Sequence, residues 1–341
     1  MLLLTAFFLS GCNMSLDSGT TKKGSLYPEY PYITEVFDYC YGAGQHSEAH
    51  GSIMAKPSDK EKFIGTESDY VLLGGWGGYI TAGFDHDVLN FEGYDFAVYT
   101  QPGTGNEPAV VYVMDDADGN GKPDGTWYEL SGSDTGADYS SGGTYYYEGG
   151  AYDDPAEVTL PPDPLNKYIR DYELTYCKAD LTLDKNDPAY GNVTWKDNQG
   201  NSGILKSMFW TETSELWWWP YYGEGVTSKT FRGVKLPNNK FTPDGKYWWD
   251  FEDRLNWGYA ENYAELGAVD CKTVTFGSKT RSANCFDISN AIGGDGKPVK
   301  LEKIRFIKVQ TGVFLQAGWL NEVSSEVSGA VDLHCTGISV E

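Results

Sequence analysis

The chain is expected to be mainly β. Strand-length runs rich in β-branched and aromatic residues recur along it, and clusters of Gly, Asn, Asp and Pro separate them. Composition agrees: 41 glycines, 15 prolines and an aromatic share of 15% in 341 residues describe a turn-rich globular chain, long enough for one large core or two small ones.

In chain order, Gly78–Phe84, Tyr94–Tyr99, Ala109–Met114 and Thr126–Leu130 read as strands. Asp171–Tyr176 alternates polar with apolar residues, as a strand with one buried face does. Lys303–Gln310 supplies a late strand, followed by the apolar Val313-Phe314-Leu315. One helix candidate stands out, Asp250–Ala264, where Phe251, Leu255, Tyr259 and Tyr263 recur every fourth residue, although Gly258 weakens it. Between about 178 and 300 the chain reads as a long, irregular, aromatic-rich insertion between the early and final strands. No internal repeat or long linker is evident, so residues 35–335 are expected to form a single domain.

The charge balance, 49 acidic against 26 basic residues, argues against nucleic acid, whose binding needs a basic face. It suits a protein that gathers divalent cations. Residues 116–125, Asp-Ala-Asp-Gly-Asn-Gly-Lys-Pro-Asp-Gly, have calcium-loop spacing. Asp116, Asp118, Asn120 and Asp124 offer side-chain oxygens, Lys122 its carbonyl, and Gly121 takes the sharp sixth position. The loop departs from an EF-hand because Trp127 stands where a bidentate glutamate belongs and strands flank it. A solvated Asp/Gly turn is the competing reading.

At the amino terminus, Leu2 to Leu9 leads into Leu9-Ser10-Gly11-Cys12, which resembles a bacterial lipobox, although no Lys or Arg opens it. The resemblance implies that residues 1–12 are a lipoprotein signal, that Cys12 is lipidated, and that residues 13–34 tether the body to the outer membrane at the cell surface. The apolar run is too short to span a bilayer. Lipidation would leave Cys40, Cys177, Cys271, Cys285 and Cys335, with no CxxC to suggest zinc. A Cys271–Cys285 bridge and buried free thiols stand as equal alternatives. His46, His50, His86 and His334 form no HExxH and read as structural.

Gly77–Phe84, Tyr94–Tyr99, the acidic loop and Asp124-Gly125-Thr126-Trp127-Tyr128-Glu129-Leu130 are together similar to the jelly-roll half of bacterial surface proteins related to galactose-binding-like domains. This resemblance implies a jelly-roll-like β-sandwich braced by calcium. The tail, Ile307–Gly312 through Gln316–Ser324 and Asp332-Leu333-His334, looks like the closing segment of lipoproteins encoded beside TonB-dependent transporters, including those of vitamin B12 uptake loci. That resemblance implies a non-catalytic surface lipoprotein that captures a corrinoid for a transporter. A carbohydrate ligand is the alternative, and a glycan-active enzyme or structural adhesin follows.

Aromatic residues are the candidate recognition surface. Trp210, then Trp217, Trp218, Trp219, Tyr221 and Tyr222, crowd rings onto consecutive positions, and consecutive side chains of a strand point to opposite faces. Some must be exposed or meet a second layer. Trp248, Trp257 and Trp319 complete the candidate ligand-binding set, with core packing as the rival explanation. Asp250, Glu252 and Asp253, beside Trp248-Trp249, are the best-placed acids for glycoside hydrolysis, but in so acidic a chain some such pair always occurs.

Overall fold

The computed structural model describes residues 30–44, 56–65, 69–100, 106–149, 152–205, 219–245, 247–317 and 322–341. Cys12, most of the tether, His46, His50, Trp210, Trp217, Trp218 and Trp319 lie outside the described residues. The architecture is mainly β, a sandwich of two antiparallel sheets with a third sheet stacked on one of them.

The central sheet runs Glu35–Cys40, Tyr79–Leu89, Lys303–Thr311, Ala109–Met114, Tyr128–Leu130 and Ala291–Ile292, and Tyr259–Ala260 joins the free end of Ala109–Met114. The back sheet runs Val71–Leu72, Glu326–Asp332, Phe96–Thr100, Lys279–Phe286, Cys271–Phe276 and Ile338–Val340. Alternate residues of the central sheet, Ile80, Ala82, Phe84, Val111, Val113, Ile307 and Val309 among them, pack against Phe96, Val98, Phe286, Val327 and Ala330 of the back sheet. Truncating one of these phenylalanines to alanine costs about 3–5 kcal/mol, a large share of a domain's stability.

Lys303–Thr311 shows how one strand serves two cores. A register shift between Ile304 and Phe306 changes the phase of alternation, so Ile304, Ile307 and Val309 all enter the sandwich. Phe306, Lys308 and Gln310 are left to the other face. There the front sheet packs, ordered Ser202–Leu205, Val193–Asp197, Ile169–Cys177 and Ser228–Lys235. Tyr172, Leu174, Tyr176 and Phe231 bury its inner face with Trp76, and the Trp76 indole donates to the Val234 carbonyl at 3.2 Å. The Gln310 amide donates to the carbonyls of Gly77 and Arg232, at 2.7 and 3.2 Å. A Cβ on Gly233 would fall 2.1 Å from the Gln310 side-chain oxygen, so a side chain there would displace the amide that bridges the two sheets.

The predicted strands are present with small changes of boundary, but the predicted helix over Asp250–Ala264 is not. Trp249–Asp250 pairs with Lys240–Phe241, and Tyr259–Ala260 joins the central sheet. Leu255 and Glu261 both hold φ +53° and Gly258 φ +87°, which a right-handed helix excludes. The fourfold spacing instead marks anchors: Phe251 sits edge-on to Tyr145 at 4.7 Å, and Leu255 and Tyr259 enter a cluster with Val110 and Val234. The stretch from 178 to 300 is also more ordered than its sequence suggests. Part of it builds the front sheet, and Cys271–Phe276 and Lys279–Phe286 are strands of the sandwich. Lys, Thr and Ser on their partly solvated positions hide that pattern. Cys271 and Cys285 are free thiols, which removes the bridge as an alternative.

Two histidines tie the back sheet's end to its neighbours. His86 Nε2 lies 3.0 Å from Asp332 and Nδ1 2.8 Å from Asp85, while His334 Nε2 lies 2.9 Å from Asp95. Asp95 also accepts from the Phe91 and Ile288 amides, both at 2.8 Å. Burial pulls both imidazole pKa values down, but the carboxylate hydrogen bonds outweigh it, and both are raised. A raised histidine contributes stability that is complete below its unfolded pKa and is lost as pH rises through the folded one. His86→Gln is therefore expected to destabilise the protein more at pH 6 than at pH 8.5. Denaturant midpoints at the two pH values test this, and an equal loss at both would show that His86 acts through packing.

Candidate functional site

The acidic loop connects Ala109–Met114 to Tyr128–Leu130 and folds through side-chain bonds to its own backbone. The Gly121 amide donates to Asp116 Oδ2 at 3.0 Å and the Lys122 amide to Asn120 Oδ1 at 2.7 Å. Gly119 and Gly121 both hold φ +71°, which lets the loop wrap inward. The Asn120 side-chain amide lies 2.9 Å from Asp118 and 3.2 Å from Asp124, drawing the two carboxylates toward one point. Oδ1 of Asp115 and Oδ1 of Asp116 are shielded from solvent without a hydrogen-bond partner. Burial raises the Asp115 pKa, with Lys303 opposing it.

A shielded, unpartnered carboxylate oxygen is what a hard cation satisfies and a solvated turn does not need. Of the predicted side-chain donors only Asp116 offers such an oxygen, so the fit to calcium rests on it; the Asp118 and Asp124 carboxylates take the Asn120 amide, and the Asn120 and Lys122 oxygens accept bonds from within the loop, the latter from the Asp124 amide at 2.9 Å. Trp127 points away from the loop. Thr126 and Tyr128 line the cavity beside the acidic residues, whereas Trp127 and Glu129 line a second cavity, as strand alternation requires.

That second cavity is a cleft of about 460 Å³ between the central and front sheets, within the size range of small-ligand sites. Tyr112, Trp127, Glu129 and Lys308 come from the central-sheet side, and Arg170, Glu173, Asn198 and Arg232 from the front-sheet side. Glu129 is buried, and it accepts from Tyr168 at 2.7 Å and from Arg170 at 2.8 Å. Burial raises its pKa while these two partners lower it, leaving it above the usual carboxylate range. Arg232 donates to Glu173 at 2.6 Å near the solvent. The Lys308 ammonium stands over the Tyr79 and Tyr112 rings, 4.8 and 5.0 Å from their centroids. Burial pulls its pKa down to about 8, with Asp38 opposing.

The predicted aromatics are dispersed. Trp219 is buried under the front sheet, its indole donating to the Val226 carbonyl at 3.0 Å, and Tyr222 meets it edge-on at 5.2 Å. The Tyr222 hydroxyl donates to the Tyr41 carbonyl at 2.9 Å. Tyr221 is exposed. Trp248 packs half-buried against the cluster of Leu255 and Tyr259, and Trp257 is half-buried nearby. None of these described residues lines the large cleft. Asp250 is paired with Lys240 at 2.7 Å.

Sequence reasoning missed the cleft residues. The available signals were Lys308 between Ile307 and Val309 and the acid of Trp127-Tyr128-Glu129-Leu130, each a charge beside apolar neighbours in a predicted strand. No protein-family model matches the chain, and no curated protein matches it.

The loop geometry leads to a direct expectation for the metal. Calcium at a hundredfold excess over its Kd should add about 2.7 kcal/mol of stability, a rise in melting temperature of about 5 °C for a domain this large. Asp116→Ala combined with Asp118→Ala should abolish the rise. Melting curves in calcium and in chelator decide it, and superimposable curves for the parent would return the loop to a plain Asp/Gly turn.

Proposed function

We propose that this protein is a non-catalytic, calcium-braced surface lipoprotein that captures a small polar ligand in the cleft between its central and front sheets. It would then pass the ligand to an outer-membrane transporter. The observation that carries this reading is the cleft's composition: aromatic faces from Trp127 and Tyr112 beside two ion pairs, Glu129 with Arg170 and Glu173 with Arg232. Rings stack on the apolar face of a sugar, and fixed acid–base pairs accept from and donate to its hydroxyls. A carbohydrate is therefore the first ligand class.

The corrinoid expectation rests on the tail alone. Most of the tail's described residues lie in buried strands or pack against them, so a likeness there speaks for the fold before the ligand. A corrinoid is also several times larger than a sugar ring and would lie across the cleft's mouth instead of filling it. It remains the second reading, and anchoring through Cys12 is part of both.

Trp127→Ala should lower glycan affinity about tenfold or more, the usual mark of an aromatic anchor in a binding site. Binding assays on a glycan array and with cyanocobalamin, run alongside thermal melts, test this. Full affinity in the variant would exclude the cleft as the site, and selective loss of cyanocobalamin binding would reverse the ligand order. For the anchor, Cys12→Ser should release the protein from the membrane fraction. Retention of the variant there, or failure of labelled palmitate to enter the parent, would rule out lipidation.

A further inference from the structure

We infer that the ligand held in the cleft is an acidic sugar, whose carboxylate pairs with Lys308; this rests on the carbohydrate reading above and narrows it. The cleft's three cations are not equivalent. Arg170 is bound to Glu129 at 2.8 Å and Arg232 to Glu173 at 2.6 Å, so both already have anionic partners. Lys308 has neither an ion pair nor a hydrogen bond among the described residues, and only the two tyrosine rings stand beneath its ammonium. The acid closest in character, Asp38, is engaged by the Tyr79 hydroxyl at 2.5 Å.

Lys235 makes the contrast plain. It too is buried in the interlayer region, but its ammonium donates to the carbonyls of Leu165 and Leu236, at 2.5 and 3.0 Å, and so serves the fold. Lys308 serves no such bond. It opens instead into the cleft of about 460 Å³ between the central and front sheets. An ammonium presents three donors. The ring faces attract the cation but accept no ordinary hydrogen bond, so its donors remain available to a ligand entering from the cleft.

The surrounding charges favour one carboxylate and disfavour a more highly charged group. Glu129 and Glu173 are neutralised by their arginines, whereas Asp171 at the rim is exposed and would repel a polyanion. A carboxylate on the floor over Lys308, with sugar hydroxyls directed to the two ion pairs and a ring face against Trp127, satisfies each group that the cleft offers. A uronic acid has this arrangement of groups.

The test compares galacturonic acid, which carries a single carboxylate, with its methyl ester, which loses the charge and gains one methyl group, by titration calorimetry on the full chain. The parent should bind the acid at least tenfold more tightly than the ester. Lys308→Met, which keeps the aliphatic stem, should remove that preference by weakening acid binding alone, and Lys308→Arg should retain it. Equal binding of acid and ester by the parent, or an undiminished preference in a folded Lys308→Met protein, overturns the inference while leaving carbohydrate capture standing. Binding of neither form, together with no binding to neutral glycans, removes the carbohydrate reading and this inference with it.

Discussion

A sheet covered on both faces has no side on which polar residues are harmless, and the central sheet is covered by the back sheet on one side and largely by the front sheet on the other. Every residue of its middle strands must either pack or find a partner. The constraint explains the register shift between Ile304 and Phe306, which sends three aliphatic residues into the sandwich. It explains why Gln310 is tied to backbone carbonyls on both of its neighbours. It also gives the cleft its character, since the two layers part where Tyr112, Glu129 and Lys308 meet Arg170 and Arg232.

Strands with a clear local signal were legible. Ala109–Met114, a continuous apolar run, has the predicted bounds, and Asp171–Tyr176, whose buried and partly exposed positions alternate, grows by a few residues. Short strands were not. Tyr259–Ala260 and Ala291–Ile292 pair over two residues each, too few for any period to register. The false helix at Asp250–Ala264 arose because anchors spaced four apart look the same whether a helix or a chain of left-handed turns separates them.

The candidate sites divide along the same line. An acidic loop is local, so its donors could be named from consecutive residues, and the structure adds the shielded oxygen of Asp116 that no spacing reveals. The cleft is not local. Its walls come from residues 112 to 308, and only the stacking of two sheets brings them together. The tryptophans misled for a related reason: crowded rings mark a place where packing is difficult, and Trp219 and Tyr222 resolve that crowding by burying one ring against the edge of the other.

Thr126-Trp127-Tyr128-Glu129 is one ribbon with two clients. Thr126 and Tyr128 wall the acidic loop, and Trp127 and Glu129 wall the cleft. The parity of the chain is all that assigns each residue to its side. One residue gained or lost between Asp124 and Trp127 would exchange the two sets, turning the indole toward the aspartates and a small hydroxyl toward the cleft. The spacer between loop and strand is therefore intolerant of length change even where its residues could vary, and the two cavities must drift together through evolution or not at all.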